Sequence, residues 1–287
     1  MRRSIRVGGA LVGGVAAGAA AAVAVGTVLW NRATERAVAR LTGPAPASNG
    51  AAPTRYSRDQ LVGLPAPVAR YFDFALTPGQ PPVGRAYFHQ AGVFSTRPGV
   101  WSPFTSEQYF SVYPPGFVWD ASIRMAPLVT VRVRDSYLAG EGVMYGKAGA
   151  LLTVADQRGT PEMASGALMR YLAEAVWLPT ALLPCAGVRW EAVDDSTARA
   201  TVTDAATTVS VDVHFAAGGE IARISAVRYR DVNGTPVLTP WVVHLRDYAR
   251  ADGMMIPVAG EVAWLLPEGP LPYWRGRTVE ASYELAR

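Results

Sequence analysis

The sequence predicts an α+β protein that is mostly β: a large curved antiparallel meander sheet, resembling a half-barrel, wrapped around a central apolar helix, with one transmembrane helix at the amino terminus. From residue 84 onward, most runs alternate apolar with polar residues, as strands with one buried face do. Residues 170–184 interrupt these runs with a helical segment that is apolar on almost every side, which is typical of a buried helix. Residues 7–30 carry no charge.

The amino-terminal segment begins with a basic tail, residues 1–6, and continues with the uncharged residues 7–30. As a helix, this stretch would span roughly 36 Å at ~1.5 Å per residue, which is enough to cross a bilayer core. We interpret it as a signal-anchor because it continues to Trp30, an aromatic residue of the kind found at membrane interfaces. The alternative is a signal peptide cleaved at the small-x-small motif Ala22-Val23-Ala24.

The expected partner of residues 7–30 is therefore the membrane. Positive charges flank the segment equally on both sides, so they do not decide its orientation. We expect the amino terminus in the cytoplasm and the main domain outside, because a long domain can be translocated regardless of its charge. The protein is then membrane-anchored with an extracytoplasmic domain, periplasmic or at the cell surface, and cleavage would instead give a secreted form.

The rest of the chain divides into a tether and one domain. Residues 31–54 start as a short polar helix and end in a stretch dominated by Pro, Gly, Ala and Ser, which predicts a flexible linker. Residues 55–287 are long enough for a single β-rich domain with a sizeable core. Its strands are separated by turn signals such as Pro114-Pro115-Gly116 and Asn233-Gly234, so successive strands are expected to pair antiparallel. Ten or more strands would curl rather than stay flat.

The central helix is predicted over residues 166–183. Arg170 and Glu174 are its two charged residues in an otherwise apolar stretch, and their spacing places them on one face within contact distance. Pro179 is expected to stop or kink the helix. A charged pair on a buried helix costs several kcal/mol unless it is satisfied. The pair is thus either a structural ion pair that ties the helix to the sheet or a polar anchor for the head group of a bound amphiphile.

Tryptophan is abundant in the domain, and Trp119, Trp177 and Trp264 are the predicted apolar wall of a ligand site beside this helix. Aromatic residues also fill ordinary cores, which is the alternative interpretation. Asp135 and Asp194-Asp195 could carry acid–base chemistry, but a strand surface and a turn are the simpler interpretations. Cys185, the one cysteine, is expected to be a buried inert thiol.

Several functional classes have no support in the sequence. The net charge of +4 comes from scattered arginines without a basic run, which argues against a nucleic-acid partner. The three histidines lie far apart, and no metal-binding, nucleophile-elbow or phosphate-binding motif occurs. We therefore predict no cofactor, no metal site and no assigned catalytic residue, and whether the protein is an enzyme stays open.

Several segments of the domain resemble an uncharacterised bacterial family, the domain of unknown function number 6544. They are RYLAEAVWLPTALLP at 170–184, GVRW at 187–190, GFVW at 116–119, RDSYLAG at 134–140 and EVAW at 261–264. The resemblance covers about residues 60–287 and implies no known activity. The inferred sheet-around-helix arrangement is also similar to the half-barrel of LolA-like envelope lipoprotein carriers, which is an analogy of fold and does not establish function.

Three functions follow as hypotheses. The first is a membrane-tethered envelope protein that binds a lipid-like or other apolar ligand between the curved sheet and the central helix, with Arg170 and Glu174 at the polar end. The second is an envelope hydrolase that uses carboxylates such as Asp135 or Glu174. The third is a structural or interaction module without a ligand.

Overall fold

The computed structural model describes residues 4–43, 55–127 and 129–286, with the side chains of residues 4–17 and 19 left out. Parts of the predicted basic tail and most of the predicted flexible linker, residues 44–54, lie outside the described residues.

One antiparallel sheet forms most of the domain, which confirms the predicted β-rich meander. The strands are β1 (Val83–Arg97), β2 (Val100–Ser111), β3 (Gly116–Ala126), β4 (Val129–Leu138), β5 (Glu141–Ala148), β6 (Leu152–Arg158), β7 (Arg189–Ala192), β8 (Thr197–Asp204), β9 (Thr207–Phe215), β10 (Ile221–Val232), β11 (Thr235–Ala251), β12 (Met254–Leu266) and β13 (Gly269–Leu285). Their order is β6-β5-β4-β3-β2-β1-β13-β12-β11-β10-β9-β8-β7, so two meanders are joined where β1 pairs with β13. A sheet of this many twisted strands curls, and here it curls around a helix.

Three helices accompany the sheet: α1 (Ser4–Leu41), α2 (Ala66–Ala75) and α3 (Pro161–Glu174). The central helix α3 begins five residues before the predicted 166–183 and ends at Glu174. Thr160 caps its start by accepting a hydrogen bond from the backbone of Met163. The chain then continues as short 3₁₀ turns, with Leu178 outside the helical region at φ −128° and ψ 66°. Pro179 explains this end, because proline removes a donor and disfavours helical geometry in the residue before it.

The sheet wraps around α3, which packs against strands of both halves, β3–β5 on one side and β8–β10 on the other. The approach is closest at Gly142 in β5, where a Cβ atom would lie 2.2 Å from the carbonyl oxygen of Met163. The two halves also meet directly, since Gln157 in β6 donates a hydrogen bond to Asp231 in β10. The predicted burial of the central helix is therefore confirmed.

The helix α2 closes one end of the half-barrel. Its Tyr71 and Phe72 are fully buried, and Tyr71 packs against Phe215 of β9. Next to them, the core between the sheet and the 3₁₀ turns is filled by Phe88 and Phe110. This end of the half-barrel is a packed hydrophobic core.

The helix α1 lies on the outer face of the sheet, opposite to α3. It joins the predicted membrane segment, residues 7–30, and the predicted short helix after it into one element. Trp30 is buried against β3 and β4 rather than left exposed at the end of a separate span. Within the described part of the chain, no helix has the combination of length and hydropathy needed to cross a bilayer.

Candidate functional site

A polar band crosses the inner face of strands β1–β4, between two apolar layers. The layer toward the end closed by α2 consists of Phe110, Phe117 and Tyr137. The layer toward the opposite, open end contains Phe104 and Ile123. All five side chains are buried. The side chains between them are Gln90 (β1), Ser106 and Gln108 (β2), Trp119 (β3) and Asp135 (β4). Alternation along antiparallel strands brings these residues to one level, because every second side chain faces the same way.

Arg170 of α3 joins this band and forms the charged centre of the site. Its Nε donates to Glu174 Oε1 at 2.8 Å, and its Nη1 donates to Asp135 Oδ2 at 2.6 Å. The guanidinium carbon lies 4.9 Å from the ring centroids of both Phe117 and Trp119. Burial would lower the pKa of Arg170, but the two carboxylates outweigh it and raise this pKa. Arg170 is therefore a permanent cation held by two acids and two aromatic faces.

Glu174 has a different electrostatic balance. Burial raises the pKa of its carboxyl, although Arg170 and a 2.6 Å hydrogen bond from Gln108 Nε2 favour the charged form. One guanidinium faces two carboxylates here, so the cluster formed by Asp135, Arg170 and Glu174 carries a surplus negative charge when all three are ionised. We call these three residues the charged triad.

Two glutamine side chains beside the charged triad each have one atom without a partner among the described residues. Gln90 Oε1 accepts from Ser106 Oγ and Trp119 Nε1, but the Nε2 of the same side chain has no partner among the described residues. Gln108 Oε1 is likewise unpaired there. Both glutamines are almost completely buried, with 1% and 0% exposure. A buried unpaired polar group costs about 1–3 kcal/mol, so an unpaired donor and an unpaired acceptor on the same face require an explanation.

The open end of the half-barrel has a rim of half-buried aromatic residues. A register shift in the β12–β13 pairing makes Tyr273 an extra residue between Pro272 and Trp274. Such a bulge redirects side chains, and here Tyr273 stacks on Trp264 with ring centroids 5.8 Å apart. Tyr273 also accepts a hydrogen bond from Trp241 Nε1 at 2.9 Å.

Arg228 connects the rim to α3. Burial raises the pKa of Tyr273, while Arg228, the hydrogen bond from Trp241 and Arg170 act in the opposite direction. Arg228 of β10 lies 5.3 Å from the Trp241 ring and donates from Nε to the carbonyl of Gly166 in α3. Sequence analysis missed Gln90, Gln108, Arg228 and Tyr273. Only the glutamines gave a signal, as polar residues at inward positions of apolar strands.

The structure brings three of the five predicted site residues together. Arg170, Glu174 and Trp119 are in or against the charged triad. Trp177 is buried at the closed end, where its Nε1 donates to the carbonyl of Pro257 and its ring packs on Phe88. Trp264 lies at the rim, where it stacks on Tyr273. Trp177 therefore belongs to the packed core, and Trp264 to the open end.

Three expectations outside this set have clear outcomes. Asp135 is buried at 3% exposure as a partner of Arg170, so its interpretation as a surface strand charge was wrong. Cys185 is exposed because the last 3₁₀ turn carries it out of the core, so the expected burial was also wrong. Asp194 and Asp195 form the predicted exposed turn, where Asp194 accepts hydrogen bonds from Ser196.

The charged and amide groups of the site are two carboxylates, one guanidinium and two carboxamides. In the described part of the chain, the side-chain partners of the two triad carboxylates are Arg170 and Gln108, whereas His214 lies on the outer face with Thr197, Ser225 and Arg223. The described residues contain no group of three or more His, Cys, Asp or Glu side chains arranged to hold a metal ion.

The chain belongs to the Family of unknown function DUF6920, whose sequence profile matches residues 62–283. The family number inferred from the sequence motifs, 6544, is therefore wrong, although an uncharacterised family was correctly expected. The comparison with curated proteins finds no match.

Among solved structures, the chain is similar to the crystal structure of a LolA superfamily protein from Nitrosomonas europaea. The two share 9% sequence identity with a TM-score of 0.30, and the match covers 76% of this chain and 92% of the other. The residues of the site, rather than this likeness, support the function proposed below.

Proposed function

We propose that this protein is a membrane-tethered envelope protein that binds a lipid-like amphiphile inside the half-barrel, between the inner face of the sheet and α3. The observation that carries the proposal is the polar band with its two unpaired amide groups. A buried donor at Gln90 and a buried acceptor at Gln108 are costly unless an occupant satisfies them. A bound molecule with a polar end would pair both groups and lower this cost.

The surroundings of the band support an occupant with an apolar part. Trp264, Tyr273 and Trp274 are half-buried at the open end, where an acyl or other apolar chain could cover them. Ligand sites commonly combine such aromatic walls with a few convergent polar groups. The ligand would enter past this rim with its polar end directed at Gln90 and Gln108.

The charge of the site favours an uncharged polar end that carries hydroxyl or amide groups. The surplus negative charge of the charged triad would repel an anionic group placed beside Glu174 and Asp135. A hydroxyl can donate to Gln108 Oε1 or to a carboxylate, and the same group can accept from Gln90 Nε2. The positive charge of Arg228 lies at the rim, over the Trp241 ring, and therefore does not offset the negative charge beside Asp135 and Glu174.

The proposal also assigns a role to the amino-terminal segment and a location to the domain. The uncharged residues 7–30 would hold the protein at a membrane, and the domain after residue 55 would face the extracytoplasmic side. The run of residues without charge supports the tether, and a long domain can be translocated regardless of its charge.

Native mass spectrometry of the full chain tests the ligand. The chain would be released from bacterial envelopes in a lipid-retaining copolymer, then activated in the gas phase until loosely attached lipids leave. We expect a retained adduct in the wild type, and its extraction would identify the ligand class. Trp264→Ala should lose the adduct because it opens the rim.

Trp101→Ala is the matched control, because Trp101 lies on the outer face of β2 under Arg275. It should retain the adduct. No adduct in the wild type, even after exposure to a total lipid extract, would favour the structural module. Equal retention by Trp264→Ala and the wild type would place the ligand elsewhere, and an adduct that is chemically altered on incubation would favour the hydrolase.

A further inference from the structure

The helix α1 leaves the domain at one defined corner. Its carboxyl-terminal part is fixed on the outer face, where the carbonyl of Thr42 accepts from Arg85 and the indole of Trp30 donates to Asp120. Residues 4–41 are one helix without proline, so no proline kink changes its direction where it leaves the domain. At Gly26 the helix is in close contact with the domain, because a Cβ atom there would be 2.6 Å from the carbonyl oxygen of Ala150.

The turn between β5 and β6 forms the other side of this corner and is unusually apolar. Leu151 and Leu152 are 46% and 68% exposed there. Exposure of large apolar side chains is unfavourable, because free energy is gained when apolar surface is removed from water. Val25 and Leu29 of α1 are 59% and 57% exposed beside them. Val25, Leu29 and Leu151 line the same groove, which has a volume of about 580 Å³. These side chains form a continuous exposed apolar patch.

Cations and aromatic rings border this patch. Lys147 and Arg134 line the same groove, and Lys147 Nζ lies 5.9 Å from the ring centroid of Tyr145. Arg134 lies 4.9 Å from the Trp30 ring, and Trp30 stacks on Tyr145 at 5.8 Å. Leucines next to cations and to Trp and Tyr are the combination found where a protein surface meets lipid head groups.

We propose that this corner, formed by α1 around Val25–Leu29 and by the β5–β6 turn at residues 149–152, docks on the surface of a bilayer that contains anionic lipids. The leucines of the turn enter the interface, and Lys147 and Arg134 face the phosphate groups. The uncharged residues 7–30 lie within α1, so docking of this corner fixes the orientation of the half-barrel relative to the membrane.

The docking inference rests on the tether part of the proposed function and is independent of the ligand site. A spin-label experiment on the full chain separates the two. Cys185→Ser removes the native exposed thiol, and Leu152→Cys in this background receives a nitroxide. Val279→Cys is the matched control, since Val279 is 62% exposed but lies on β13, in the middle of the sheet.

Both labelled chains would be reconstituted into vesicles of phosphatidylcholine and phosphatidylglycerol and checked by flotation. We expect the label at residue 152 to show a several-fold higher ratio of oxygen to nickel-chelate accessibility than the label at residue 279, because oxygen partitions into lipid. Equal ratios in chains that float would overturn docking and leave the tether intact. Chains that do not float would overturn both.

In vesicles of phosphatidylcholine alone, the accessibility ratio at residue 152 should fall, and an unchanged ratio would contradict the role of the cations.

Two glycines of α1 allow a test of the helix contact. Gly26→Leu must push α1 away from the turn, whereas Gly18→Leu adds the same side chain where no atom lies within 4 Å. The label at residue 152 should lose its lipid exposure with Gly26→Leu and keep it with Gly18→Leu. If Gly26→Leu leaves the ratio unchanged, α1 does not set the orientation of the corner.

Discussion

Asp120 and Asp135 lie on neighbouring strands, β3 and β4, but on opposite faces of the sheet, and each holds one helix in place. Asp135 faces inward and binds Arg170 of α3. Asp120 faces outward, where it binds Arg132 of β4 and accepts hydrogen bonds from Trp30 and Thr34 of α1. Both carboxylates are buried, with 3% exposure for Asp135 and 7% for Asp120.

The two clusters differ in the ratio of carboxylates to donors. On the outer face, one carboxylate receives three donors, and Arg132 Nε is the buried atom of that cluster without a partner among the described residues. On the inner face, two carboxylates share one guanidinium, and the amides of Gln90 and Gln108 each have an unpaired atom. The outer cluster is therefore a structural clasp for α1, whereas the inner cluster can accept a further polar group. This difference separates a brace from a candidate binding site.

The largest effect is expected from Arg170→Met. It would leave the carboxylates of Asp135 and Glu174 buried without their cation, which should destabilise the fold by about 3–5 kcal/mol. Urea unfolding followed by tryptophan fluorescence measures this change. The triple variant Arg170→Met, Asp135→Leu and Glu174→Leu removes all three charges and should be more stable than the single variant. A triple variant as unstable as Arg170→Met would show that packing, rather than charge, dominates the inner cluster.

Asp120→Ala should have the next largest effect, about 1–3 kcal/mol, because the buried donors of Trp30 and Thr34 lose their acceptor. The loss should be concentrated in α1, so hydrogen exchange should accelerate there more than in α3. Asp212→Ala is the control, since Asp212 is in an exposed pair with Arg199 that contributes roughly 0–1 kcal/mol. Uniform acceleration over the whole domain would contradict the interpretation of Asp120 as a clasp for α1.

A smaller change in stability is expected from Gln90→Met. The variant leaves the buried donors of Ser106 and Trp119 without their acceptor but also removes the unpaired Nε2, so the net destabilisation should be about 1–2 kcal/mol, below that of Asp120→Ala. Its effect on the retained adduct in native mass spectrometry should be a clear loss. Normal adduct retention by the folded variant would show that Gln90 does not contact the ligand.

The smallest effect concerns pH. Because burial raises the pKa of Glu174, the folded protein holds this proton more readily than the unfolded chain. The corresponding stability is present below the ordinary value of 4.5 and is lost as the pH rises through the raised pKa of the folded state. Relative to Glu174→Gln, the wild type should thus become less stable as the pH increases above 4.5. Urea titrations at several pH values measure this, and the opposite slope would mean that the ion pair with Arg170 outweighs burial.

Much of the inner cluster was predictable, but its extent was not. The spacing of Arg170 and Glu174 on an apolar helix indicated a contact within α3, which the structure contains. The third member, Asp135, lies 35 residues earlier on β4, where its charge was taken to indicate exposure although its position is in phase with Val131 and Val133. Its burial arises because α3 covers the strand. A double variant of Arg170 and Glu174 alone would therefore leave Asp135 buried without a partner.

The sequence by itself determined the β-rich meander, the buried helix and the break at Pro179, because alternation, apolar periodicity and proline act locally along the chain. Only the tertiary structure decided which side of each strand is covered and by what. The pairing of β1 with β13 curves the sheet around α3, the bulge at Tyr273 builds the rim, and α1 covers the outer face. These features depend on contacts between residues far apart in the chain, and local sequence patterns do not encode such contacts.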